Sequence, residues 1–365
     1  MDDFPQELVD RFIDFCDVKE IMTCSLVCKA WVIRSRYQLF ARVPLTLRAQ
    51  SLSRVVDIVN TSSFPILSHI RGLLLFIAPD ALDENLLAQL HPCPNLRSIR
   101  IVGVDDQLEI NVADQSIVDS PISQQLDAVQ PHLRAWAVDA PSITKLELGL
   151  FARTVIPLQT VMGVVSCLPG LTTLRLKGVG TKEPSPSPSP HLASLRTLSV
   201  PGCDGVLFSW LLTLPTVPAL HHLTIGAVHS RRVQLQPLAR YIQTAGHALK
   251  SFDLDTSWDV TLVYTRTILK HISPNLRHFT CRFYFLKQIP EILILLPTTS
   301  KLRPITFIPF CSDLIDKEAD YLDAFHSALV DHRFPAAHHW GKEYDYRGGN
   351  ESIATSKCTW YFARR

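Results

Sequence analysis

Leu171-Thr172-Thr173-Leu174-Arg175-Leu176 sets apolar side chains at i, i+3 and i+5, and this spacing returns along most of the chain. It stands at Ile70/Leu73/Leu75, Leu96/Ile99/Ile101, Ile143/Leu146/Leu148, Leu195/Leu198/Val200 and Leu220/Leu223/Ile225. It continues at Leu249/Phe252/Leu254, Leu276/Phe279/Cys281 and Leu302/Ile305/Phe307. From Ile143 onward the starts fall 28, 24, 25, 29, 27 and 26 residues apart, and the first two fall 26 apart. A few such triplets arise by accident in a chain that is 47% hydrophobic; nine at near-constant period do not.

Pro94-Asn95, Pro141-Ser142, Pro169-Gly170, Pro218-Ala219 and Pro274-Asn275 precede individual triplets, as turns that close a helix and open a strand. Helix-like stretches at 158–168, 207–214 and 235–245 come before them. The unit is therefore helix, turn, short strand, loop. The spacing predicts an α/β fold, an irregular leucine-rich repeat solenoid over residues 67–335 with a curved parallel sheet inside and helices outside. One unit cannot bury its own apolar edge, so the array is stable only as a stack.

Strand alternation also assigns the concave face. With i+3 and i+5 pointing inward, i+2, i+4 and i+6 point out. That places Arg100, Lys145, Arg175, Lys177, His222, Asp253, Asp255, His278 and Arg282 on a mixed-charge surface suited to a protein target, with Glu147 among them. In the first unit the same positions hold Gly72, Leu74 and Phe76, so the segment 46–66 is expected to cover them as a linker helix and capping segment. An ordinary solvated face would carry the same residue types.

The array is interrupted. Residues 103–132 hold six acidic residues and no Lys or Arg, which reads as an acidic insertion in a degenerate repeat. Leu133/Trp136/Val138 fits the triplet but lies too close to Ile143 for a full unit. Residues 182–190, with Pro184-Ser185-Pro186-Ser187-Pro188-Ser189-Pro190, form an extended Pro/Ser loop. Residues 321–329 have the pattern of a last amphipathic helix, and 336–365 form either a capping hairpin or a tail.

The N-terminus has a different pattern. Phe4-Pro5-Gln6-Glu7-Leu8-Val9 opens a helix on which Leu8, Phe12 and Phe15 recur at helical spacing, as do Val9 and Ile13. Asp17-Val18-Lys19-Glu20 reads as an N-cap with its reciprocal Glu. Cys24-Ser25-Leu26-Val27-Cys28-Lys29-Ala30-Trp31 leads into a third helix running from about Cys28 to Phe40. Three helices in about forty residues cannot bury this much apolar surface among themselves, so part of it needs another partner.

This segment, residues 1–45, resembles an F-box, the module that docks a protein onto the Skp adaptor of a cullin-type ubiquitin ligase. Phe4 stands where the family usually has Leu, and Phe15-Cys16 replaces its commoner leucine ending of the first helix. Phe4, Pro5, Leu8, Val9, Ile13, Leu26, Val27, Cys28, Trp31 and Leu39 match the family's adaptor-facing pattern. The resemblance implies a non-catalytic target-recognition subunit that binds the adaptor, and through it a cullin, while the repeats bind an unknown protein target. A leucine-rich repeat scaffold not acting in ubiquitination, or one whose N-terminal helices merely cap the repeats, remains open.

Composition excludes other roles. A net charge of +2 gives no case for nucleic acid. Residues 72–78 and 289–296 are apolar but too short to cross a bilayer. Nine scattered cysteines without a Cys-x-x-Cys pair read as reduced thiols of a cytoplasmic or nuclear protein. Cys24 and Cys28 are spaced i, i+4, but no second ligand pair lies near to complete a metal site, and no cofactor motif is present.

Overall fold

The computed structural model describes residues 5–77, 82–103, 121–150, 157–177, 192–200, 206–226, 235–255, 268–283, 305–309, 337–344 and 356–362. The chain divides into two compact units, Met1–Gly178 and Val179–Arg365. The expected helix at 321–329 and the Pro/Ser loop lie outside the described residues, as does most of the acidic insertion.

The first unit begins with helices α1 (Gln6–Phe15), α2 (Val18–Cys24) and α3 (Lys29–Arg42). Strand β1 (Leu45–Leu47), α4 (Ala49–Thr61) and the short α5 (Ile66–His69) follow. Then β2 (Gly72–Ile77), α6 (Glu84–Ala88), β3 (Ser98–Gly103), α7 (Pro121–Asp139), β4 (Lys145–Leu150), α8 (Leu158–Ser166) and β5 (Thr173–Lys177) alternate. All its strands pair in parallel, in chain order.

The register shows why the triplet folds this way. Leu73, Ile99, Leu146 and Leu174 align across β2 to β5, as do Leu75, Ile101, Leu148 and Leu176. All eight are buried, so each strand's two inward residues add to a continuous apolar ridge. Each fully buried side chain of this kind contributes about 2 kcal/mol of transfer free energy. A repeated backbone device holds the register. The Arg71 carbonyl accepts from Arg97 and Ser98 N–H, that of Arg97 from Thr144 and Lys145, and that of Thr144 from Thr172 and Thr173.

Residues 45–47 do not simply lie over the apolar face of β2. They add strand β1 to its edge, pairing Leu45 with Leu73 and Leu47 with Leu75. The flanking residues do the covering. Pro44 lies so close that a Cβ at Gly72 would stand 3.2 Å from the Pro44 Cβ. The Arg48 guanidinium sits 4.4 Å from the centre of the Phe76 ring.

Helix α7 takes in the last part of the acidic stretch and the extra triplet. Ile122, Leu126, Val129, Leu133 and Trp136 form its buried stripe, whereas Val138 is exposed, so the triplet is helical. Trp136 donates to the Leu90 carbonyl at 3.5 Å and stacks on His91 at 5.0 Å.

The second unit repeats the scheme with β6 (Thr197–Val200), α9 (Val206–Thr213), β7 (His222–Ile225), α10 (Leu235–Ala245), β8 (Ser251–Asp255), β9 (His278–Phe283) and β10 (Ile305–Pro309). Leu198, Leu223, Phe252, Phe279 and Ile305 align in one row. The carbonyls of Arg196, His221 and Lys250 each accept two N–H groups from the next repeat, as in the first unit. Strands β11 (Ala337–Tyr344) and β12 (Ser356–Phe362) form an antiparallel hairpin, and β12 pairs antiparallel with β10.

Candidate protein-docking surfaces

The N-terminal helices fold around a small core of their own. Val9 and Ile13 from α1, Cys16, and Ile21 and Cys24 from α2 form it, with Trp31 and Leu39 of α3 packed against it. Asp17 caps α2 in a reciprocal box. Its carboxylate accepts from the Glu20 N–H at 2.8 Å, and the Glu20 side chain accepts from the Asp17 N–H at 2.7 Å. Helices α1 and α3 are clamped at Asp14, which accepts from Arg34 Nε at 2.8 Å, Arg34 Nη2 at 2.5 Å and Gln38 Nε2 at 2.5 Å. Arg42 adds hydrogen bonds to the carbonyls of Asp14 and Cys16. The bonded Arg34 guanidinium holds the Asp14 carboxyl below its ordinary value, with Gln38 and Arg42 adding to the effect. Burial pushes the Cys16 thiol up, and the neighbouring Cys24 thiol pushes it further.

With that core complete, much apolar surface is left over. Phe15 is 90% exposed and Leu26 85%, and Leu8, Phe12, Met22, Val27 and Ile33 are also exposed. Helix α1 is thus apolar on two faces: Val9 and Ile13 look inward, Leu8, Phe12 and Phe15 outward. Phe12 lies 5.7 Å from Trp31, which links the outer face of α1 to α3. The other end of α3 is fastened to the first repeat. There Tyr37 meets His69 edge-on at 5.2 Å and accepts a hydrogen bond from Arg71 at 3.1 Å.

Of the residues expected to face an adaptor, Pro5, Leu8, Leu26, Val27 and Cys28 are exposed, and Trp31 and Leu39 are half-buried. Val9 and Ile13 are instead buried within the module, because α2 and α3 close over that side of α1. Phe4 lies outside the described residues. Phe12, Phe15 and Met22 belong to the exposed set without having been expected there. For Phe12 and Phe15 the signal was the 8/12/15 spacing on α1, which marks a face separate from 9/13; Met22, on α2, has no part in that spacing.

The second surface is the outward side of the repeat strands. In the first unit Leu74, Arg100, Glu147 and Arg175 align across β2 to β5, with Lys145 one row away and Gly149 beside Lys177. Arg100, Lys145 and Arg175 are exposed, and Lys177 is half-exposed. Arg100 Nε and Lys177 Nζ approach the same Glu147 oxygen at 3.4 and 3.8 Å. In the second unit His222 and His278 are exposed and align through Ser251, while Asp253 is half-buried. Asp255 and Arg282 pair on β8 and β9, but their side chains lie outside the described residues. Among the described residues no group of three or more His, Cys, Asp or Glu could hold a metal ion, and no helix is long and apolar enough to cross a membrane.

Comparison with known proteins bears on the N-terminal helices. Residues 1–37 match the F-box domain family. No curated protein matches the chain significantly. Solved structures similar to this one include the leucine-rich repeat-containing protein LegL7 from Legionella pneumophila. It is 14% identical at a TM-score of 0.41, and the match covers 79% of this chain and 94% of that one. The repeat assignment rests on the triplet register rather than on that likeness. The chain joins an N-terminal F-box domain to leucine-rich repeats.

Proposed function

We propose that this chain is the target-recognition subunit of a Skp–cullin–F-box type ubiquitin ligase. F-box domains bind Skp-type adaptors, and leucine-rich repeats serve protein interaction. The observation that carries the reading is that Leu8, Phe12, Phe15, Met22, Leu26 and Val27 all stay exposed on a module whose own core is already filled. Several exposed aromatic and aliphatic side chains on one small module are what a partner protein buries.

The mechanism is proximity rather than chemistry on this chain. The F-box fixes one end to the adaptor and cullin, and the repeats hold a target near a ubiquitin-charged enzyme carried elsewhere. Tethering raises the effective concentration of target lysines at that enzyme to the millimolar range, on the order of what short linkers give. Such a receptor needs no activated side chain. Its buried thiols fit that role, since burial pushes Cys93 up to about 12 and raises Cys167. Thiols protonated at neutral pH are poor nucleophiles.

The test is a pull-down of the tagged full chain from native cells, probed for the adaptor and a cullin, beside the Leu26→Asp variant. Both partners should accompany the wild type and neither the variant. Adaptor without cullin would reduce the chain to a scaffold outside ubiquitination, and no adaptor at all would remove the proposal.

A further inference from the structure

Resting on the receptor reading, we infer that the outward face of β3 to β5 takes an acidic segment of the target that bears several Asp or Glu carboxylates. Arg100, Lys145, Arg175 and Lys177 stand on three neighbouring strands, with Glu147 as the acid set among them. Glu147 does not neutralise them. Arg100 and Lys177 reach one of its oxygens at 3.4 and 3.8 Å, well beyond the ~2.8 Å of a strong charged hydrogen bond. Among the described residues Arg175 and Lys145 have no acidic partner. Among the described residues, four cations against one carboxylate leave a local excess of three positive charges on a chain whose net charge is +2.

The placement specifies the ligand further. Arg100 and Arg175 lie two strands apart, roughly 10 Å, so one carboxylate cannot serve both and a multiply charged segment can. Glu147 is then a selectivity device. It lies among the cations and opposes the incoming anion, so weakly acidic segments are refused.

The experiment measures fluorescence anisotropy of short fluorescein-labelled peptides on the full chain mixed with adaptor. One peptide alternates glutamate with leucine, one replaces glutamate by lysine, and one replaces it by phosphoserine. The glutamate peptide should bind and the lysine peptide should not, with binding weakened as salt rises. Arg175→Glu should weaken it roughly fivefold to twentyfold, and Glu147→Gln should tighten it roughly threefold. Arg54→Glu, on α4 and away from this face, should change nothing. A phosphoserine peptide within roughly threefold of the glutamate one supports the carboxylate occupant, whereas one roughly tenfold or more tighter would assign the face to phosphate and overturn the inference.

Equal binding of the glutamate and lysine peptides would overturn it, as would a weaker Glu147→Gln variant or an Arg54→Glu loss equal to that of Arg175→Glu. Adaptor retention in the same sample separates the two readings. Selective peptide binding without adaptor removes the ligase role and leaves this inference, whereas adaptor retention without charge selectivity removes the inference alone.

Discussion

Leu26→Asp and Ile13→Ala, compared side by side, separate a surface built for a partner from one built for the fold. Leu26 is 85% exposed in the free chain, so its replacement should change stability by no more than about 0.5 kcal/mol. In a complex the same side chain would be buried, a gain of about 1.5–3 kcal/mol that the carboxylate forfeits along with its own desolvation cost. Losing about 2 kcal/mol weakens Kd by roughly 30-fold. Ile13 is fully buried, so its truncation should cost about 2–4 kcal/mol of stability and reach adaptor binding only through unfolding. Urea titration followed by circular dichroism gives the stabilities, and calorimetric titration with purified adaptor gives the affinities. An unchanged Kd for Leu26→Asp, or a stability loss matching that of Ile13→Ala, would refute the assignment of the two faces.

Further outcomes follow from the packing. Asp14→Ala should cost about 1–2 kcal/mol, discounted because Asp14 and Arg34 are each about a third exposed; urea midpoints check it. Because the folded Asp14 pKa is depressed, that stabilisation is full above the ordinary 3.8 and is lost as pH falls through the lower folded value. The wild-type advantage over the variant should therefore persist at pH ~5 and shrink below pH ~3.5. Leu174→Ala, at a fully buried ridge position, should cost about 2–5 kcal/mol in the same assay. Burial, with His91 adding, lowers the pKa of His132 below its ordinary 6.5. The unfolded chain therefore takes up that proton first, and stability falls as pH drops through 6.5 toward the folded value. His132→Gln should lose less stability than wild type between pH ~7.5 and ~5.5, His221 supplying part of the remainder because burial lowers it too.

Much of this fold could be read from spacing alone. The triplet i, i+3, i+5 places a turn residue and then two inward residues of one strand, and each strand from β2 to β9 begins at i+2. Strand β1 was not legible, because Leu45-Thr46-Leu47 is too short to show alternation and pairs only because the edge of β2 lies next to it. Helix α7 was legible in principle. Ile122, Leu126, Val129, Leu133 and Trp136 step by four and three residues, but Pro131 and the acidic surroundings made only the end of the stripe look like a repeat.

At the N-terminus the sequence marked the apolar positions without saying which look inward. Val9 and Leu8 are equally apolar neighbours, and only the placement of α2 and α3 buries one and exposes the other. The outward charges of β3 to β5 followed from alternation. The shared approach of Arg100 and Lys177 to Glu147 needed the strand register.

Hydrogen exchange on the full chain, with and without adaptor, tests most directly whether the N-terminal helices are held by a foreign partner. A stoichiometric complex is expected in which amide protection rises along α1 and through the turn at Ser25, Leu26 and Val27, while the repeat strands exchange as before. Protection gained on the repeat strands alone, or no change along α1 and that turn at saturating adaptor, would contradict it.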